Sequence, residues 1–143
     1  MPWTSFCIVR AAVFLGSVAV AGALDAGEPR WVEYGPAVVT LSGRLVAKEF
    51  FGPPGYGEAP ETDSREVARL LVIDEPLHVR ADHESDINSL EQRNVREVQL
   101  VWSQKAGPLL GRRVRVRGTL FAGHTGHHHV DLLVIVALIE PLE

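Results

Sequence analysis

Apolar and polar positions alternate with period two through much of the second half of the chain. In RRVRVRGTLF (112–121), Val114, Val116, Gly118 and Leu120 share one side. Arg113, Arg115, Arg117 and Thr119 share the other, which is the pattern of a half-buried strand. VREVQLVW (95–102) alternates in the same way, with Val95, Glu97, Gln99 and Val101 opposed to Arg96, Val98, Leu100 and Trp102. VDLLVIVALI (130–139) is apolar at both parities, which predicts a strand covered on both faces. Upstream, the β-branched segment GPAVVTLSGRLVAKEFF (35–51) predicts one long strand that bends or bulges at Gly43. EVARLLVIDEPLHV (66–79) predicts a strand through Ile73, a turn at Asp74-Glu75-Pro76 and an extended piece to Val79.

The segments between these are of other kinds. GPPGYGEAPETDS and RADHESDINSLEQRN are rich in turn formers and charge and predict loops. SQKAGPLLG predicts one or two helical turns, capped by Ser103 and ended by Gly111. Five strands, a short helix before the fourth and a glycine-kinked first strand predict an all-β domain. The expected form is a small OB-like five-stranded Greek-key barrel with one short helix between strands three and four. A β-sandwich has the same strand count.

The N-terminus changes the picture. Arg10, an apolar stretch from Ala11 to about Val20, and the small residues Ala21-Gly22-Ala23 form the three parts of a secretory signal. The apolar run falls short of the roughly 20 residues of a membrane span, the alternative being an uncleaved anchor. The expected organisation is a signal peptide at 1–23, a connector at 24–34 and the barrel at 35–143, in a periplasmic or secreted protein with no membrane span after cleavage. The single cysteine, Cys7, leaves with the signal, which excludes a disulfide and thiol catalysis in the mature chain. The formal net charge is −4, and loss of Arg10 makes it one unit more negative. Nucleic-acid binders usually carry a basic excess, so no nucleic-acid partner is expected.

GTLFAGHTGHHHVDLLVIV (118–136) places four histidines between two apolar runs. Neutral imidazole binds Zn²⁺, Cu²⁺ and Ni²⁺, and a short hairpin can bring several rings together. His124, His127, His128, His129 and Asp131 are therefore the candidate metal ligands. The plainer alternatives are a polar hairpin tip and a pH-responsive contact. A two-residue Thr125-Gly126 turn would put His124 opposite His127, but it would carry Asp131 opposite the core-facing Leu120. An odd-length loop instead sets Leu120 against Leu132 and His124 against His128, with Asp131 outward beside His129; hydrophobic alternation favours that register. His83, among Asp82, Glu84 and Asp86, is a further candidate donor from another loop.

A second candidate site is the stripe Arg113, Arg115 and Arg117 with Trp102 and Tyr56, suited to an anionic glycan or an envelope protein. Its plain alternative is a solvated face that discourages edge aggregation. DHESDIN (82–88) lacks the spacing of an EF-hand loop, and FFGPPGYG lacks the Gly-Lys-Ser/Thr ending of a phosphate loop. No nucleophile elbow is present, and no carboxylate pair stands out as an acid–base couple. An enzyme is the weaker expectation.

Three stretches, FFGPPGY (50–56), LLVIDEPLHV (70–79) and LLGRRVRVRGTLFAGHTGHHHVDLLVIV (109–136), together resemble the bacterial domain of unknown function 4431. The most specific element is Gly118-Thr119-Leu120-Phe121 followed by His124-Thr125-Gly126-His127-His128-His129. The resemblance runs roughly from Val38 to Ile139 and implies an exported OB-like β-domain with no established activity. The combined expectation is a non-catalytic binding or structural module that presents a histidine-rich hairpin to a divalent transition metal or a partner.

Overall fold

Alternation on the arginine-bearing strand is carried into the fold without a break. Val114, Val116, Gly118, Leu120 and Ala122 are buried, while Arg113, Arg115 and Arg117 are exposed. The computed structural model describes residues 27–143; the expected signal peptide lies outside the described residues. The chain is all-β: β1 (Arg30–Glu33), β2 (Val38–Phe51), β3 (Arg65–Arg80), β4 (Gln92–Val101), a 3-10 turn η1 (Gly107–Leu109), β5 (Arg113–Ala122) and β6 (Leu132–Pro141).

The sheet order is β1-β3-β2-β5-β6-β4, with a further pairing of β4 to β3. Pairings from β3 through β2, β5, β6 and β4 therefore return to β3, and β1 lies outside that circuit. Most pairs are antiparallel, but β4 and β6 run parallel through Gln99–Val101 and Leu133–Ile135. Inward residues of the five strands, including Leu41, Leu45, Leu71, Val98, Val116 and Val134, form one core.

Six strands rather than five make the sheet. Four residues of the expected connector, Arg30–Glu33, pair in parallel with Leu77–Arg80 of β3. A strand of four residues is too short to declare a period, so the alternation did not reveal it. The Asp74-Glu75-Pro76 turn is absent: β3 runs straight through it. Pro76 sits where the pairing of β3 with β4 shifts between Val72 and Leu77, so its missing N–H breaks no ladder bond there. Ser103 caps nothing, and the expected helix is reduced to one 3-10 turn without a side-chain cap.

Two glycines allow close backbone approach. Gly43 pairs with both Ile73 of β3 and Val114 of β5, where β2 passes from one neighbour to the other. A Cβ there would collide with the Val72 carbonyl, so the position marks a close crossing without a bulge. The bulge is instead in the β5–β6 ladder between Arg117 and Gly118, and a Cβ on Gly118 would collide with the Ile135 carbonyl. Finally, β6 is covered on both faces only over Leu132–Val134; Ile135 and Leu138 are about half exposed.

Candidate functional site

Residues 123–131 join β5 to β6, and the Gly123 N–H donating to the Asp131 carbonyl at 2.9 Å closes the base of this loop. The four histidines divide into two pairs with different surroundings. His124 and His128 meet near edge-on at 4.7 Å between centroids, and each also meets Phe121 edge-on. His128 Nδ1 accepts from the backbone N–H of His124 at 3.0 Å and of Thr125 at 3.3 Å. Burial, then repulsion from His124, His127 and His129, pushes the His128 imidazole below its ordinary value of 6.5. A nitrogen that accepts two N–H bonds cannot hold a proton.

The second pair is clasped by one carboxylate. His127 Nδ1 lies 2.7 Å from Glu66 Oε1, and His129 Nε2 lies 3.0 Å from Glu66 Oε2. His129 is nearly enclosed, its side chain 9% exposed, and it stacks on Phe50 at 4.4 Å and 5°. The His127 side chain is 63% exposed. Gln99 on β4 fastens the backbone beneath them: its Nε2 donates to the His127 carbonyl at 2.9 Å and its Oε1 accepts from the His129 N–H at 2.8 Å. Gln99 pairs with Leu70 on one side and Leu133 on the other. These residues, with Ala68, are buried yet stand outside the main core. The loop thus folds down over the outer face of β3, β4 and β6, and a small secondary core lies beneath it.

Proton positions follow from the partners. Ala122 O and the Glu66 carboxylate can only accept, so His124 Nδ1, 2.9 Å from Ala122 O, and His127 Nδ1 are the N–H nitrogens. Neutral His124 and His127 therefore keep a lone pair on Nε2. A ring whose other N–H is held by a carbonyl or carboxylate is the arrangement found in metal-ligating histidines. His128 is the reverse, its N–H on Nε2. His129 spends its Nε2–H on Glu66 inside the fold. Among the described residues, no group of three or more His, Cys, Asp and Glu side chains is assembled to hold a metal ion.

The β2–β3 loop completes the patch. Asp63 accepts from the backbone N–H groups of Gly55, Gly57 and Ala59 at 2.7, 2.7 and 3.2 Å. Burial alone would raise this carboxyl, but the three backbone donors, with Arg65 nearby, outweigh it and hold the group below its ordinary range. The loop so organised sets Tyr56, at φ 50°, edge-on to His127. Gly126 lies against the Tyr56 ring, where a Cβ would reach within 2.5 Å of it. Any larger residue at 126 would force the Tyr56 ring to move.

The expected ligands do not all converge. Pairing of Leu120 with Val134 and of Ala122 with Leu132 has the parity of the favoured register, two residues further along. His124 does meet His128, and Asp131 is exposed, but His129 turns inward to Glu66. Asp131 contributes its carbonyl, which accepts from Gln92. The 81–91 loop reaches β5 through Asn88, whose Oδ1 accepts from the Ala122 N–H, and not through His83. The second candidate set is scattered. Tyr56 lies beyond one end of β5 and Arg113 at the other, about 30 Å apart along the strand. Trp102 sits by the end of β4 under Arg69. Arg113 is held by Asp74, whose hydrogen bond and charge raise its pKa further, and Arg115 lies 3.6 Å from Glu140.

Glu66, Gln99 and Phe50 were missed by the sequence reasoning. Glu66 and Phe50 are ladder partners at the far end of β2 and β3, and only the folded pairing shows that they face the histidines. Gln99 left one clue, an uncharged polar residue amid an apolar strand end.

No curated protein and no solved structure matches this chain. Residues 97–140, which run from β4 through β6 and contain the arginine stripe, Gln99 and all four histidines, match the model of the domain of unknown function 4431, and the chain resembles that domain.

Proposed function

We propose that the protein is an exported, non-catalytic binding module of the OB type whose functional patch is the junction of the β2–β3 and β5–β6 loops. The pairing circuit supports the barrel: numbered from β2, the five strands follow 1-2-3-5-4-1, with a parallel pair of third and fifth strands and a helical turn before the fourth. In OB barrels the corresponding two loops flank the ligand-binding face. The signal-like N-terminus supports export to the periplasm or beyond.

The ligand that fits this patch is a divalent transition metal, Zn²⁺, Cu²⁺ or Ni²⁺, taken by Nε2 of His124 and His127, with remaining positions filled by water or a partner's donors. The observation that carries the reading is the oriented Nδ1–H of both rings, on Ala122 O and on Glu66. His128 and His129 are structural in this account. Two imidazoles make a weak site, so the expected role is a metal-dependent contact. The test is a thermal melt of chelator-stripped protein titrated with each metal. At about 100 times Kd the metal adds roughly 2.7 kcal/mol. The shift should vanish in His124→Asn/His127→Asn and survive in His128→Asn. A parent that does not respond, or a double variant that responds like the parent, contradicts the reading.

A further inference from the structure

The outer face of β2, β5 and β6 is ordered into rows by the ladder register. Val38, Thr119, Ile135 and Val101 are successive partners across four strands, and Val38, Ile135 and Val101 are 60%, 53% and 42% exposed. The next row is Thr40, Arg117 and Leu138, with Leu138 48% exposed. Beyond it come Ser42, Arg115 and Glu140, then Arg44 opposite Arg113. The outward side chains thus pass from exposed aliphatic groups to guanidinium groups within about 7 Å, the length of two strand residues. Four arginines occupy these rows in a chain whose net charge is −4; Arg115 has Glu140 at 3.6 Å and Arg113 is bonded to Asp74 from β3, so the rows keep a surplus of two positive charges, on Arg44 and Arg117. Arg117 has no carboxylate within 4 Å among the described residues.

We propose that this face docks on an anionic lipid surface, with Val38, Ile135 and Leu138 entering the headgroup boundary and Arg115 and Arg117 on the lipid phosphates. The charge separation inside an otherwise acidic protein gives the face its complementarity to phosphate. Aliphatic side chains beside cations are the chemistry of an interfacial surface. A glycan or single-stranded nucleic acid calls for aromatic platforms. The aromatic residue at the edge of the face, Phe121, is occupied by His124 and His128. Face-to-face pairing of two copies would bring arginine rows toward each other, which like charge opposes. The assignment is independent of the histidine patch.

The experiment is flotation of the chain from Leu24, which carries every strand and every core residue found among the described residues, with vesicles of phosphatidylcholine containing 30% phosphatidylglycerol and with pure phosphatidylcholine. Binding to the anionic vesicles alone is expected, weakened by salt. Each arginine near such a surface contributes about fivefold, so Arg115→Ala/Arg117→Ala should lose roughly 25-fold in partition. Ile135→Ser/Leu138→Ser should weaken binding as well, while all variants keep the parent's circular dichroism and melting curve. The proposal is overturned if the parent stays with the buffer, if it binds both vesicles equally, or if the arginine variant floats like the parent. Retention on polyglutamate without flotation would likewise overturn it and make the face a protein-docking surface.

Discussion

Replacing Gln99 by Leu tests whether the histidine loop is fastened to the sheet or merely rests on it. Leucine fills the same space in the row with Leu70 and Leu133 but removes the donor to the His127 carbonyl and the acceptor for the His129 N–H. Each lost bond is worth about 1 kcal/mol, with more where the abandoned backbone group stays shielded from water, so the expected loss is about 2–3 kcal/mol. An unfolding entropy of roughly 2 cal/mol/K per residue over the described chain converts this to a melting-point drop of about 8–12 °C. Hydrogen exchange at the His129 amide should accelerate in step, because its acceptor is gone. The assay is a pair of thermal melts with amide exchange on the same samples. A drop of under 2 °C with His129 still protected would refute the fastening.

Two further outcomes follow from the same geometry. Because the folded His128 resists a proton that the unfolded chain accepts near 6.5, its neutral state stabilises the fold above that pH. That contribution is lost as pH falls through 6.5 toward the depressed folded value. His128→Asn, which keeps an acceptor for the His124 and Thr125 amides, should therefore flatten the decline in melting temperature between about pH 7.5 and 5.5, whereas His128→Ala should cost about 1 kcal/mol at pH 7.5; an unchanged pH profile in the Asn variant would contradict the account. Gly118→Ala should lose about 2 kcal/mol or more in denaturant melts, since its Cβ meets backbone at Ile135 and not a yielding side chain; a neutral outcome would mean the bulge can move.

How much of this was legible in the sequence depends on the range of the interaction concerned. The strands at 95–102 and 112–121, and the face assignment of Arg113, Arg115 and Arg117, could be read because period two is a local signal; the other three long strands could be read from equally local runs of β-branched and apolar residues. Parity of the histidine hairpin followed too, because Leu120 and Leu132 demand the same face. The exact pairing was lost because the 123–131 loop folds over the sheet in place of a tight turn. Pro76 misled for a related reason: its breaking tendency is real, but a gap in the β3–β4 ladder absorbs it. The division of the histidines was beyond the sequence altogether. It rests on Glu66 and Gln99, which lie about sixty and thirty residues away and reach the loop only after β2, β3 and β4 have paired.

The central claim is that the four histidines have two different jobs, and imidazole ¹⁵N spectra read it directly. In metal-free protein at pH 7.5, His124 and His127 should show protonated Nδ1 and unprotonated Nε2, and His128 the opposite. On addition of Zn²⁺, only the Nε2 signals of His124 and His127 should shift as ligands. A protonated Nδ1 on His128, or zinc shifts spread equally over all four rings, would contradict the account.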